Sequence, residues 1–282
     1  MSPMNPLLLE LDQVAFRYPD GSVGLDGCSL AIARGSRNAL IGANGSGKTT
    51  LFQHCNALLR PAAGQLRYGG TSLDYSRTGL RSLRSKVGMV FQNPDRQLFS
   101  ASVREDVSFG PLNLGLDDAT VAARVEAALQ AVGMEDLAHK PVQNLSFGQK
   151  KRVCIAGVLA MEPELLVLDE PMAGLDPFMQ EELLTVLEKL HGRGMTILLA
   201  THDIHFAYRW ADRIHLMAAG RCTASFDAPA LATHEAELAA VGLRLPSVIG
   251  LEKLLRQRGL LDGDTPIHSC SALLAQLQQH DC

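Results

Sequence analysis

The run Gly42-Ala-Asn-Gly-Ser-Gly-Lys48-Thr49 fits G-x-x-x-x-G-K-[ST] and constrains the chain more than any other feature. Glycines let the backbone bend until successive N–H groups point at one centre, where an anionic phosphate can sit. The arrangement requires a strand before it and a helix after it, and both flanks are legible. Asn38–Ile41 is a short apolar run. Leu51, Phe52, Cys55, Leu58 and Leu59 recur at helical spacing over residues 48–59, with Pro61 as the stop. The helix adds its positive N-terminal end. Lys48 is then placed to reach the β- and γ-phosphates of a nucleotide, and the Thr49 hydroxyl to ligate Mg2+.

The remaining pattern predicts an α/β core. Leu165–Leu168 and Thr196–Ala200 are continuous apolar runs of the kind buried on both faces of a parallel sheet. Helical stretches follow at 178–191 and 204–210, which gives the strand–helix alternation of an α/β fold. Residues 7–18 alternate like a strand, with Leu7, Leu9 and Leu11 on one face. Pro19-Asp-Gly21 reads as a turn, and residues 28–35 as a second strand. Residues 100–160 carry no strand pattern and read as helices, an insert in the core. From about residue 226 the chain is Ala/Leu-rich and helical, with breaks at Pro246 and around 259–266.

Composition narrows the function classes. A chain of 282 residues with 46% hydrophobic content buries roughly three quarters of its unfolded surface and needs no disulfide or metal to fold. The net charge of −4 argues against a generic nucleic-acid binder, which is usually strongly basic. The longest clean apolar run, Val153–Met161, has nine residues, whereas a spanning helix needs about 20. The start, MSPMNPLLLELDQ, lacks the basic opening of a signal peptide and reads as neither leader nor anchor. Cys28, Cys55, Cys154, Cys222, Cys270 and Cys282 form no C-x-x-C pair and read as free thiols. His202 and His205, His268 and Cys270, and His280 and Cys282 lack the spacing of a metal site.

Two further segments complete a candidate site. Leu165-Leu-Val-Leu168-Asp169-Glu170 is an apolar strand ending in two carboxylates; Asp169 is suited to hold Mg2+ and Glu170 to polarise an attacking water. Leu145-Ser146-Phe-Gly148-Gln149 precedes a helical stretch. Ser146 is a good helix N-cap, and this terminus reads either as a capped helix start or as a second anion site that Gly148 lets a ligand approach. Because the chain has one phosphate loop, the second reading implies a site shared between two chains.

These pieces together resemble an ATP-binding cassette (ABC) ATPase, the motor of ABC transporters, over residues 7–222. The matching elements, in order, are Tyr18 in FRYPDG, the phosphate loop, Gln92 in VFQNPD, LSFGQ at 145–149, Asp169-Glu170, Gly174-Leu-Asp176, and His202 in LLATHD. The resemblance implies a P-loop NTPase core with an antiparallel β subdomain, a helical subdomain at about 93–162, and a helical extension at 226–282 after an ATPase domain at 1–225. It implies ATP and Mg2+ as cofactors and a head-to-tail homodimer closing on two nucleotides. Gly42, Asn44, Gly45, Ser46, Gly47, Lys48, Thr49 and Thr50 of one chain would face Ser146, Gly148 and Gln149 of the other. Tyr18 would stack on adenine, Gln92 would contact Mg2+ and water, His202 would contact the γ-phosphate, and Asp176 would lie between the sites. Two positions depart from the pattern: Phe147 stands where glycine is usual, and Lys-Thr-Thr replaces Lys-Ser-Thr while keeping the metal-side hydroxyl.

Residues 92–116, QNPDRQLFSASVREDVSFGPLNLGL, and 148–163 are similar to energy-coupling-factor importers, most of all the cobalt and nickel subgroup, with cobalt preferred and a vitamin importer as the alternative. This implies a transmembrane coupling subunit and a metal-binding membrane subunit as partners, no nucleic acid, and a peripheral place on the cytoplasmic face of the membrane. The mixed segment after Gln92 suits a groove for a partner helix. Leu251, Leu254 and Leu255 form a stripe in the tail, for burial against either the same chain or a second protomer. A soluble ABC ATPase acting on nucleic acid is disfavoured by the single cassette and the mild acidity.

Overall fold

The computed structural model describes residues 6–261, 267 and 269–280. Among these, β1 (Leu7–Arg17), β2 (Val23–Ala33), β4 (Ala63–Tyr68) and β5 (Thr71–Ser72) form an antiparallel sheet in the order β2-β1-β4-β5. The second sheet comprises β3 (Arg37–Ile41), β6 (Val87–Val90), β7 (Leu165–Asp169), β8 (Thr196–Thr201), β9 (Arg213–Ala218) and β10 (Arg221–Asp227). Its order is β10-β9-β3-β8-β7-β6, with β10 antiparallel and the others parallel.

Every residue of β7 and β8 is buried, as their unbroken apolar runs predict. Successive side chains point to opposite faces, so alternate residues serve two cores. Leu165, Val167, Leu198 and Ala200 pack with the antiparallel sheet and α1 (Lys48–Cys55). Leu166, Leu168, Ile197 and Leu199 pack on the other face, with the helices α3 (Val103–Asn113), α4 (Asp118–Ala131), α5 (Phe147–Leu159) and α6 (Pro177–Gly192). Residues 100–160 are helical as expected, and Ser146 caps α5.

The structure corrects several boundaries. The helix after the phosphate loop ends at Cys55 rather than at residue 59, because Ala57 takes a left-handed backbone (φ 52°) and turns Leu58 outward. Leu7 is exposed while Leu8, Leu9 and Leu11 are buried, since both sides of β1 are covered at Leu8 and Leu9. The second strand begins at Val23, five residues early, its Asp-Gly pair absorbed by a register shift against β1. Five strands, β4, β5, β6, β9 and β10, have no counterpart in the sequence pattern, three of them for clear local reasons. In β4 only Leu66 is buried; β6 carries Gly88, where a Cβ would lie 2.0 Å from Val158 Cγ1 of α5; and β10 alternates exposed and half-buried residues until Phe226. Also unread was α2 (Arg77–Lys86), which buries only Leu83.

Beyond α7 (Ile204–Trp210), the tail contains α8 (Glu235–Ala240), α9 (Ser247–Gln257) and α10 (Cys270–His280). Pro246 precedes α9, as its break signal predicts. Leu255 packs on the same chain, while Leu251 and Leu254 are exposed. The predicted break at 259–266 begins at Gly259, whose φ is 69°; its residues 262–266, together with His268 and Cys282, lie outside the described residues. Cys28, Cys55, Cys154, Cys222 and Cys270 are free thiols.

Candidate active site

Four neighbouring strands, β3, β8, β7 and β6, end on one edge of the parallel sheet, the place where open α/β sheets bind ligands. From β3 comes the loop Gly42–Gly47, from β7 Asp169 and Glu170, from β8 His202, and from β6, two residues on, Gln92. The topology therefore gathers segments far apart in sequence.

The loop is shaped by close approach. A Cβ on Gly42 would lie 2.2 Å from the Met217 carbonyl oxygen, and one on Gly47 2.7 Å from that of Gly24. Gly47 also takes φ 106° as the residue before α1, and no side chain caps that helix. The Gly220 N–H donates to Ser46 O (2.8 Å), so the β9–β10 turn backs the loop. Lys48 is buried and donates from Nζ to Gly42 O (2.6 Å) and Ala43 O (3.2 Å), with Glu170 Oε1 at 3.7 Å.

Thr49 Oγ1 donates to Asp169 Oδ2 at 2.7 Å. Burial holds the Asp169 carboxyl above the usual carboxylate range, while the Thr49 hydrogen bond and the Lys48 charge pull it down. Glu170 is buried with φ 47°, a left-handed conformation uncommon outside glycine. Its Oε2 lies 3.0 Å from His202 Nδ1, and its Oε1 has no hydrogen-bond partner. Ser46 Oγ is likewise buried without a partner. Two orphaned oxygens beside a nest of glycines, with a paired hydroxyl and carboxylate next to them, fit a nucleotide phosphate and a hard divalent cation.

Tyr18, Gly24, Asn44, Gly45, Gly47, Lys48, Thr49, Thr50, Gln92, Asp169 and Glu170 border one cleft of about 250 Å³, and Gln92, Glu170 and His202 border an adjoining one of about 240 Å³. Tyr18 rests edge-on against Phe16 and pairs its hydroxyl with Thr50 Oγ1 at 2.8 Å. Gly24 is a cleft residue the sequence pattern did not reveal; a Cβ there would meet Thr50 Cγ2 at 2.8 Å, and its only sequence signal is a glycine inside a strand.

Ser146, Gly148 and Gln149 lie apart from this cleft. They line a narrow recess with Leu175 and Met179, and Asp176 caps α6 by accepting from Met179 N at 2.8 Å. At the α5 terminus Ser146 Oγ accepts from Gln149 N, and Gln149 Oε1 accepts from Ser146 N. A larger groove of about 650 Å³ opens beyond Gln92, between α2, α3 and α5. Phe99 and Phe109, 65% and 50% exposed and packed edge-to-face at 4.7 Å, stand at its mouth.

The ABC transporter family profile matches residues 25–173. The chain belongs to the ABC transporter family. It is 48% identical to the cobalt import ATP-binding protein CbiO of Rhodobacter capsulatus, over 88% of each chain. It is 43% identical to the energy-coupling factor transporter ATP-binding protein EcfA of Methanocaldococcus jannaschii, over 89% of this chain and 90% of the relative. The solved structure of cbiO1 from Clostridium perfringens, part of the ABC transporter complex cbiONQ, superimposes with a TM-score of 0.75 at 42% identity, covering 88% of this chain and all of that one. As an ABC transporter ATPase the chain binds and hydrolyses ATP, and its fold is that of the family. No helix among the described residues is long and apolar enough to cross a membrane.

Proposed function

We propose that the chain is the ATP-hydrolysing subunit of an energy-coupling-factor importer that powers uptake of a transition-metal ion, with cobalt as the cargo. The observation that carries this reading is the joint placement of the phosphate cleft and the Gln92 groove in a chain 48% identical to a cobalt import ATPase subunit. No cluster suited to a metal ion occurs among the described residues, and cargo selection would fall to a metal-binding membrane subunit. A coupling subunit would seat a helix in the groove, whose apolar wall and exposed Phe pair suit helix-in-groove docking. The chain would then sit at the cytoplasmic face of the membrane, held by these partners. Residues 1–225 would be the ATPase domain, with a helical subdomain at about 93–162, and 226–282 the extension.

In this reading ATP lies with its adenine on Tyr18 and its phosphates in the loop Gly42–Gly47. Lys48 exchanges its carbonyl partners for the β- and γ-phosphates, and Ser46 and Thr50 border the phosphates. Mg2+, when bound by Thr49 and Asp169 with Gln92 nearby, neutralises phosphate charge. Glu170 accepts a proton from the attacking water, and His202, paired with Glu170, faces the γ-phosphate. Ser146, Gly148 and Gln149 lie outside the cleft, which supports their use by a second copy in a head-to-tail homodimer. Asp176 would meet that copy.

The test is purification of the tagged chain with its partners from native membranes, reconstitution in vesicles, and measurement of ATP-dependent uptake of cobalt, nickel and vitamins. ATP-driven cobalt uptake is expected. Uptake of nickel or a vitamin alone would move the chain to a sister importer. Recovery with ribosomes or DNA in place of membrane proteins would overturn transport.

A further inference from the structure

Glu170 holds a positive φ (47°), and a conformation of this kind persists when its surroundings over-determine it. Its surroundings include Lys151, one turn into α5. Lys151 is 2% exposed, and its Nζ donates to the carbonyl oxygens of Pro171 (2.6 Å), Ala173 (2.7 Å) and Glu170 (3.3 Å). An ammonium has three N–H donors and no acceptor, so these three carbonyls satisfy it completely. The Ala173 N–H also donates to Glu170 O (3.1 Å), closing the turn.

Phe147 covers the same ammonium. Its ring lies 5.2 Å from Lys151 Nζ, within the range of a cation–π contact. The ring also packs on Gly174, where an added Cβ would lie 3.0 Å from it. The side chain that departs from the usual family glycine thus folds back onto its own chain's loop. Burial draws the Lys151 ammonium down to about 8, with Glu170 and Cys154 favouring the charge. A buried charge is costly unless fully paired, and here the hydrogen-bond acceptors are the backbone of the proposed base and of the segment that follows it.

We propose that Lys151, shielded by Phe147, is a positioning residue for hydrolysis: it clamps the Glu170–Gly174 backbone to the first turn of α5 and so holds the Glu170 carboxylate on the phosphate cleft. The inference rests on the proposed role of Glu170. The clamp makes the α5 terminus and the base one rigid unit, so displacement of Ser146 and Gln149 by a second copy moves the base with them. Without it Glu170 relaxes to negative φ and its carboxylate swings away, while the phosphate loop, which Lys151 does not touch, keeps its shape.

The experiment compares Lys151→Met and Lys151→Arg in the full chain, reading kcat and KM for ATP, binding of a fluorescent ATP analogue, and thermal melting. Lys151→Met is expected to lower kcat by at least about tenfold with nucleotide affinity held within about twofold. Lys151→Arg, which keeps the charge, is expected to recover most of the loss. A Lys151→Met kcat within about twofold of the parent overturns the clamp. So does a variant that loses melting cooperativity and nucleotide binding along with turnover, since that marks a folding residue. Glu170→Gln run in parallel separates the two ideas: if it hydrolyses ATP normally, the assignment of the base fails, whereas a dead Glu170→Gln beside an active Lys151→Met removes the clamp alone.

Discussion

Two helix termini in this chain are candidates to hold phosphate, and they are built in opposite ways. The start of α1 has Gly47 at φ 106° before it and no side-chain cap, so its N–H groups stay available to a ligand. The start of α5 is closed on itself, with Ser146 and Gln149 exchanging hydrogen bonds in a capping box. Each such bond contributes roughly 1 kcal/mol net, and a phosphate arriving at α5 must replace them. The first terminus is preorganised to bind alone. The second gains from nucleotide only when the ligand is already held on another surface, as the proposed head-to-tail pair would supply.

The comparison breaks first at Lys48. Lys48→Ala removes the one buried ammonium at the open terminus, and ATP affinity is expected to fall by at least about 100-fold, read by titration with a fluorescent analogue. Retained affinity would mean that α5 binds nucleotide unaided and that the two termini do not differ in kind. Glu170→Gln should leave ATP affinity near the parent value and lower kcat by at least about 100-fold. Because hydrolysis then no longer reopens the pair, ATP with Mg2+ should shift the variant to a dimer in light scattering. A monomer at saturating ATP would remove α5 from the site.

How much of this was legible depended on what each segment packs against. The phosphate loop, Asp169 and Glu170 announce themselves because their chemistry needs a fixed local order, and β7 and β8 because burial on both faces demands unbroken apolar runs. By contrast β4, β6 and β10 owe their existence to partners: Gly88 looks like a breaker until α5 is seen lying against it. The capping box at Ser146 was readable as a cap, but Lys151 was not readable as a buried group. In the sequence it sits in Lys-Lys-Arg, a run that looks solvated, and only the fold sends Lys150 outward to Asp95 (2.7 Å) and Lys151 inward.

A smaller effect separates capping from sensing at α5. Ser146→Ala removes the oxygen that accepts from Gln149 N, and loss of an N-cap costs about 1 kcal/mol of stability. If the terminus also meets the partner's nucleotide, kcat should fall by roughly tenfold while binding to the single chain stays within about twofold. A drop in melting temperature with unchanged kcat would reduce Ser146 to a cap. Both measurements are made on one variant, so a general loss of folded protein is visible at once.

The finest effect is one of pH, and it rests on a group behind the α1 side. The β9–β10 turn backs the phosphate loop through Gly220 and Met217, and β9 is anchored by His215. This side chain is fully buried between Ser225 Oγ (2.8 Å) and Asn38 Oδ1 (3.2 Å), and burial pulls it from 6.5 down to about 3. In the unfolded chain His215 takes up a proton below about pH 6.5; in the folded chain it stays neutral until far lower. The unfolded state therefore binds more protons in this window, and stability falls as pH falls, by at most about 1.4 kcal/mol per unit for one group. His215→Gln, which keeps a polar side chain without titrating, should flatten the slope of urea-unfolding stability between pH 6.5 and 5 relative to the parent. No titratable side chain makes the corresponding bonds at α5, where Ser146 and Gln149 are both neutral. Identical slopes for parent and variant would show that His215 does not carry this acid sensitivity.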